Sequence, residues 1–275
     1  MTDHVEGRLP SGQFWQGWTG GTPVKGVVVL VHGVHEHSGR YAHVAERLVA
    51  AGYPVYAVDH PGHGRSDGPR GNIDSMATTV AGVDAVARLA VERHPAVPAF
   101  VYGHSLGGLI TLQYVTGTPI ELRGAVVSAP ALDVSAADPV RRAASGLLSR
   151  LAPNLGVLKL DPGTISRDLD VVRDYQTDPL NHLGKMRART GAEILRTVQR
   201  MQPRLESLKL PLLVLHGAAD KLVPLAASDF LEQHVGSTDL TVKRYEGGYH
   251  ESHNEPNKAA VLDDIVGWLD AHSLS

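Results

Sequence analysis

The chain has no cysteine, so it can build neither a disulfide nor a thiolate metal site. It has no surplus of positive charge: 26 Lys and Arg stand against 29 Asp and Glu, and with a net charge of −3 no nucleic-acid footprint is expected. Aromatic residues are only 5%, so a core must be made mainly of aliphatic side chains. No apolar run approaches the roughly 20 residues that span a bilayer. Residues 1–8 hold no apolar segment that would read as a secretory signal. A cytoplasmic location is therefore expected. No internal repeat or low-complexity stretch is present.

What is present is organised around residues 98–112. The apolar run Pro98-Ala99-Phe100-Val101-Tyr102 leads into Gly103-His104-Ser105-Leu106-Gly107-Gly108, and a helix-like segment follows. A G-x-S-x-G between a short strand and a helix is the setting of a nucleophile elbow, in which a sharp turn lifts the serine hydroxyl above the sheet. Around this centre, apolar runs at residues 27–31, 54–58, 124–128, 211–215 and 240–245 alternate with helical stripes. That rhythm predicts an α/β fold with a mostly parallel central sheet and helices on both faces. An antiparallel hairpin is expected over residues 5–18, turning at Pro10-Ser11-Gly12. The rhythm breaks over residues 131–207, which read as helical, interrupted by five prolines and without a convincing strand. The expected division is a core of residues 1–130 and 208–275 with an inserted helical lid of residues 131–207.

A serine hydroxyl needs a base, and that base needs a carboxylate to fix its tautomer and stabilise the imidazolium. In parallel sheets such groups sit in loops at the carboxyl ends of strands. Asp220 lies just past the run 211–215 and His250 just past 240–245. Each alone has a plain alternative, a turn aspartate and one loop histidine among 15. Together they give Ser105, Asp220, His250, the Ser…Asp…His chain order of α/β-hydrolases. The oxyanion donors are expected to be the backbone N–H of Leu106 and of Val34, in the loop after the first buried strand. His32, His35 and His37 lack a recognised metal-ligand spacing, so no metal is expected, and His32 is read as a brace for that loop. The loop Asp59-His60-Pro61-Gly62-His63-Gly64-Arg65-Ser66 is read as structural.

On these motifs the chain resembles the monoacylglycerol lipases of the α/β-hydrolase superfamily. The most specific segment is His32-Gly33-Val34-His35-Glu36-His37-Ser38-Gly39-Arg40-Tyr41, supported by the Asp59–Ser66 loop, the elbow, His216-Gly217-Ala218-Ala219-Asp220 and Tyr249-His250. The resemblance implies hydrolysis of a monoacylglycerol, or another small ester, without metal or organic cofactor. It implies substrate contacts at Glu36, Arg40, Tyr175 and His253, where Glu36 and Arg40 also pair with each other. The chain departs from the family pattern at His35, where glycine is usual. An imidazole there narrows the pocket or adds a hydrogen bond to substrate. In the lid, Val140, Ala144, Leu147, Leu148 and Leu151 share one helical face, with Arg141, Ser145 and Ser149 roughly opposite. That face is expected to pack on the core or line an acyl tunnel. The sharper alternative is transient, peripheral contact with a membrane surface, with Arg141, Arg142 and Arg150 at head groups. A broader carboxylesterase or lysophospholipase would use the same triad. A non-catalytic receptor could keep the pocket. A dehalogenase would want a carboxylate where Ser105 stands.

Overall fold

A computed structural model describes residues 2–20, 23–117, 119–132 and 139–273, without the side chains of residues 139–142. The strand β3 (Val27–Val31) shows why the sheet is internal. Val27, Val29 and Val31 enter one apolar cluster, while Val28 and Leu30 enter another on the opposite face. Successive strand residues point to opposite faces, so an unbroken aliphatic run must be covered twice. Each fully buried aliphatic side chain contributes about 1.5–3 kcal/mol.

Among the described residues the central sheet has eight strands in the order β1-β2-β4-β3-β5-β6-β9-β10. Strands β1 (Asp3–Arg8) and β2 (Phe14–Thr19) form the expected antiparallel hairpin, and β2 pairs antiparallel with β4 (Val55–Val58). Every later pair is parallel, through β5 (Ala99–His104), β6 (Gly124–Ser128), β9 (Leu212–Gly217) and β10 (Leu240–Tyr245). Helices α1 (Ala42–Ala50) and α8 (Lys258–Ser273) supply the cluster on one face. On the other lie α2 (Met76–Arg93), α3 (Leu106–Val115) and α7 (Ala226–His234).

Between β6 and β9 the described residues add no strand to this sheet. The chain forms α4 (Pro139–Leu151), α5 (Leu169–Thr177) and α6 (Ala188–Met201). It also forms a short antiparallel ribbon of β7 (Gly156–Leu158) and β8 (Met186–Arg187), where the sequence predicted no strand. Two or three residues are too few for a periodic signal, and pairing across the insertion defines the ribbon. The C-terminal half of the insertion also belongs to the core: Val198, Met201 and Leu205 are fully buried in the α2–α3 cluster. Packing therefore crosses the sequence boundary placed at residue 207. Among the described residues no helix is long and apolar enough to cross a membrane.

The elbow glycines are demanded by close approach. A Cβ on Gly107 would lie 2.0 Å from the carbonyl oxygen of Val31, and one on Gly103 would lie 2.3 Å from that of Gly107. Both obstacles are backbone, which cannot swing aside. Gly107→Ala is expected to destabilise by about 1–3 kcal/mol, as overpacking does. Gly267→Ala, in α8 with nothing within 4 Å of the new Cβ, is expected to stabilise by about 0.5–1 kcal/mol through helix propensity. Denaturant unfolding of the two variants checks both signs.

Candidate active site

Ser105 occupies the turn between β5 and α3 at φ 53° and ψ −118°. A non-glycine residue persists at positive φ only when its surroundings impose it. Here the Ser105 N–H donates to the Ser128 carbonyl on β6 at 2.8 Å, and the Ser105 carbonyl accepts from Ala131 at 3.0 Å. The serine is thus fastened at the sheet's carboxyl edge, with Leu106 opening α3 beside it.

Asp220 and His250 arrive from the ends of β9 and β10. His250 Nδ1 lies 2.7 Å from Asp220 Oδ2. The other carboxylate oxygen, Oδ1, accepts from the N–H groups of Leu222 and Val223 at 2.8 and 3.0 Å. Asp220 is therefore both the turn aspartate and the partner of the histidine. Burial alone would push its carboxyl up, but hydrogen bonds from His216 and His250 hold it well below the usual carboxylate range. A stable anion at this point fixes the imidazole with Nδ1 protonated and leaves Nε2 free as a base. Behind His250, at 4.6 Å between ring centroids, lies the buried ring of His104. Burial, reinforced by His250 and His253, holds His104 neutral.

Ser105 and His250 face a shared cavity of about 760 Å³, within the range of about 300–1,000 Å³ typical of small-molecule sites. Val34 and Leu106 line it beside Ser105, where oxyanion donors would be needed. Its polar lining includes His35, Glu36, Tyr175 and His182. Its apolar wall comes largely from the insertion, with Leu148, Leu158, Met186 and Ile194 among the contributors.

The loop carrying Val34 is held from inside. Glu36 Oε1 accepts from the Gly33 N–H at 2.6 Å and from the Tyr41 hydroxyl at 2.8 Å. Arg40 reaches Glu36 Oε2 at 2.5 Å and grips both oxygens of Glu251 at 2.7 Å. Its guanidinium also lies over the Tyr175 ring, 4.7 Å from the centroid. Burial pushes the Glu36 carboxyl up against the pull of Arg40. Burial would also raise Glu251, but Arg40 holds it well below the usual range. Glu251 directly follows His250, so one guanidinium joins the loop carrying Val34 to the loop carrying His250. His32 braces from the other side. Its Nε2 accepts from the His60 N–H at 3.0 Å, and Nδ1 therefore carries the proton that it shares with the Gly33 carbonyl at 2.7 Å. Asp59, given only a structural reading from sequence, accepts from Ser38 and Arg65 and anchors the following turn.

The sequence assignments divide accordingly. Ser105, His250, Val34, Leu106, His35, Glu36 and Tyr175 line the cavity, and Asp220 stands behind His250. Two proposed substrate contacts do not reach it. Arg40 is consumed by two carboxylates, and His253 is fully buried beneath His104 and Tyr41. His253 lies three residues after His250, but a 3-10 turn at Ser252–Asn254 directs it into the protein. The apolar face read along α4 also splits: Ala144 and Leu148 line the cavity, while Leu147 and Leu151 are 60% and 76% exposed. The side chains of Val140, Arg141 and Arg142 lie outside the described residues. Glu251, His182 and His104 were not singled out from sequence. Glu251 alone carried a signal, a carboxylate adjacent to His250.

Two predictions follow from this packing. Arg40→Met would leave two buried carboxylates facing each other and is expected to cost about 3–5 kcal/mol. Arg40→Lys, which keeps the charge and loses the fork, should recover part of it in denaturant titrations. Burial, with help from neighbouring rings, depresses His35 and His60 to about 3 and His63 to about 4. In acid the unfolded chain protonates these imidazoles below about 6.5 while the folded chain does not. Stability should therefore be full above that value and fall as pH drops toward 4, by at most about 1.4 kcal/mol per pH unit for each histidine. Urea midpoints measured from pH 7 to 4.5 test this, and a flat profile would contradict it.

A family model described as serine aminopeptidase, S33, matches residues 22–257. A monoacylglycerol lipase of Mycolicibacterium smegmatis is 43% identical over 256 residues, 93% of this chain and 91% of that protein. The human monoglyceride lipase is 32% identical, covering 90% of this chain and 83% of its own. The crystal structure of the Paleococcus ferrophilus monoacylglycerol lipase superposes with a TM-score of 0.80 at 33% identity, covering 99% of each chain. The chain belongs to the monoacylglycerol lipase family of the α/β-hydrolase superfamily.

Proposed function

We propose that the chain hydrolyses monoacylglycerols to glycerol and free fatty acid through an acyl-serine intermediate. The observation that carries this reading is a strained, cavity-facing Ser105 that shares its cavity with a histidine whose Nδ1 is held by a buried carboxylate at 2.7 Å. Relatives named for monoacylglycerol hydrolysis over nearly the whole chain support the substrate.

Ser105 Oγ attacks the ester carbonyl carbon while His250 Nε2 takes its proton. The Val34 and Leu106 N–H groups hold the oxygen that becomes negative. As the tetrahedral species collapses, His250 returns the proton to the departing glycerol oxygen and the acyl group stays on Ser105. Water then enters, loses a proton to His250 and attacks the acyl carbon. Ser105 leaves reprotonated, and fatty acid is released. Asp220 stays ionised throughout and stabilises the imidazolium. The apolar wall of the insertion takes the acyl chain. Residues 131–207 act in this reading as the lid.

The exposed leucines point to how such a substrate arrives. Leu147, Leu151 and Leu169 are 60%, 76% and 78% exposed on the insertion that walls the cavity. Transient peripheral contact of this surface with lipid would deliver a poorly soluble ester to the cavity. Liposome flotation tests it: Leu147→Ser with Leu151→Ser should weaken binding, and failure of the unaltered protein to bind any vesicle would refute it.

Hydrolysis of a monoacylglycerol is to be measured beside matched di- and triacylglycerols and a short p-nitrophenyl ester. The monoacylglycerol should be preferred, and Ser105→Ala should lose roughly 10⁴-fold or more in kcat. Asp220→Asn should lose about 10⁴-fold through the wrong tautomer. Activity confined to the short ester would instead favour a general carboxylesterase.

A further inference from the structure

His35 is a cavity-wall residue held in a backbone conformation that side chains rarely adopt. It stands at φ 67°, in the left-handed region where glycine is at ease and a side chain is strained. A side chain retained at such a position is held by its surroundings, and strain of this kind collects at functional sites. The His35 carbonyl accepts from the His182 N–H at 2.9 Å and from the Tyr175 hydroxyl at 3.4 Å. The His35 ring meets the His182 ring edge-on at 4.7 Å and stacks near His63 at 6.3 Å. Only 1% of the residue is exposed, so the imidazole is wedged and cannot swing out of the way.

Its location says what it confronts. His35 directly follows Val34 and precedes Glu36, and it touches His182 and Tyr175, so it lies among the polar groups of the lining. The acyl chain has the apolar wall of the insertion. The polar stretch beside the oxyanion loop is left for the alcohol half of the ester. With burial, His63 and His182 all lowering its pKa to about 3, the ring is neutral and brings no charge to the pocket.

We propose that His35 is a specificity-determining residue that narrows the alcohol end of the cavity, so that esters of primary hydroxyls are cleaved in preference to esters of secondary hydroxyls. An ester of a primary alcohol presents one chain at the carbon bearing the leaving oxygen. A secondary alcohol presents two, and the second must occupy space beside the oxyanion loop that the imidazole fills. For glycerol esters this selects the terminal over the central position. The inference rests on the proposed hydrolase reading for its substrate, but it concerns the geometry of the alcohol pocket and can be tested apart from glycerol.

The test compares n-propyl and isopropyl esters of one fatty acid, which cannot isomerise by acyl migration, together with a 1-monoacylglycerol. Wild type, His35→Gly and His35→Ala are measured, with thermal melting as the check on folding. His35→Gly suits φ 67° and is expected to fold at least as well as wild type. The wild-type preference for the n-propyl ester in kcat/KM should fall about tenfold in both variants, mainly by a rise on the isopropyl ester; tenfold corresponds to about 1.4 kcal/mol. The same direction in His35→Ala separates loss of the ring from gain of backbone freedom. An unchanged ratio would overturn the proposal, as would an equal loss on both esters. A changed dependence on acyl length at an unchanged ratio would place the ring at the wrong end and overturn it too. Wild type that cleaves the propyl esters but not the monoacylglycerol would refute the substrate reading while leaving the pocket proposal to stand or fall on its own ratio.

Discussion

The arrangement depends on one guanidinium placed between two buried carboxylates. Arg40 bonds Glu36, which holds the N–H of Gly33 next to the proposed oxyanion donor, and grips Glu251, which follows the proposed base. The two loops leave different strands and are separated by more than two hundred residues of chain. Charge-assisted pairs of this kind are short and directional, and a planar fork fixes orientation as well as distance. The Val34 loop and the His250 loop therefore share a single support. Burial makes that support costly to disturb, because either carboxylate left alone would be an uncompensated charge in an apolar setting. Tyr175 extends the same support to the insertion, its ring against Arg40 and its hydroxyl toward His35.

Much of this was legible in the sequence because it was local. A five-residue aliphatic run can only be an internal strand, and β3 alternates its side chains between two clusters as that requires. The elbow reads from its glycines because their role is close backbone contact, which any side chain would destroy. Asp220 and His250 read from position, since parallel strands deliver loops to one edge. What was not legible is what only tertiary packing decides. The Arg40–Glu251 bond joins residues distant in sequence, and nothing near either announces the other. The β7–β8 ribbon is too short for periodicity. His253 carries a spacing that suggests a pocket residue, yet a turn of 3-10 helix sends it into the protein. The α4 face fails as a unit because Leu147 and Leu148, adjacent in sequence, meet solvent and cavity respectively.

The division of labour between core and insertion follows from the same physics. The sheet edge supplies groups whose geometry must be rigid: a strained serine, a paired histidine and two loops fixed by buried charge. The insertion supplies most of the apolar wall, and its outer surface carries the exposed Leu147, Leu151 and Leu169. Its C-terminal helix is nevertheless anchored in the core through Val198 and Met201, so the wall is tied to the scaffold at that end.

The most direct test of this account is a crystal structure of the protein after reaction with a long-chain alkyl fluorophosphonate. Phosphorus should be bonded to Ser105 Oγ, with the phosphoryl oxygen about 2.7–3.1 Å from the N–H groups of both Val34 and Leu106 and the alkyl chain along Leu148, Leu158 and Ile194. A phosphoryl oxygen turned away from these donors, or a label on any other residue, would contradict the account.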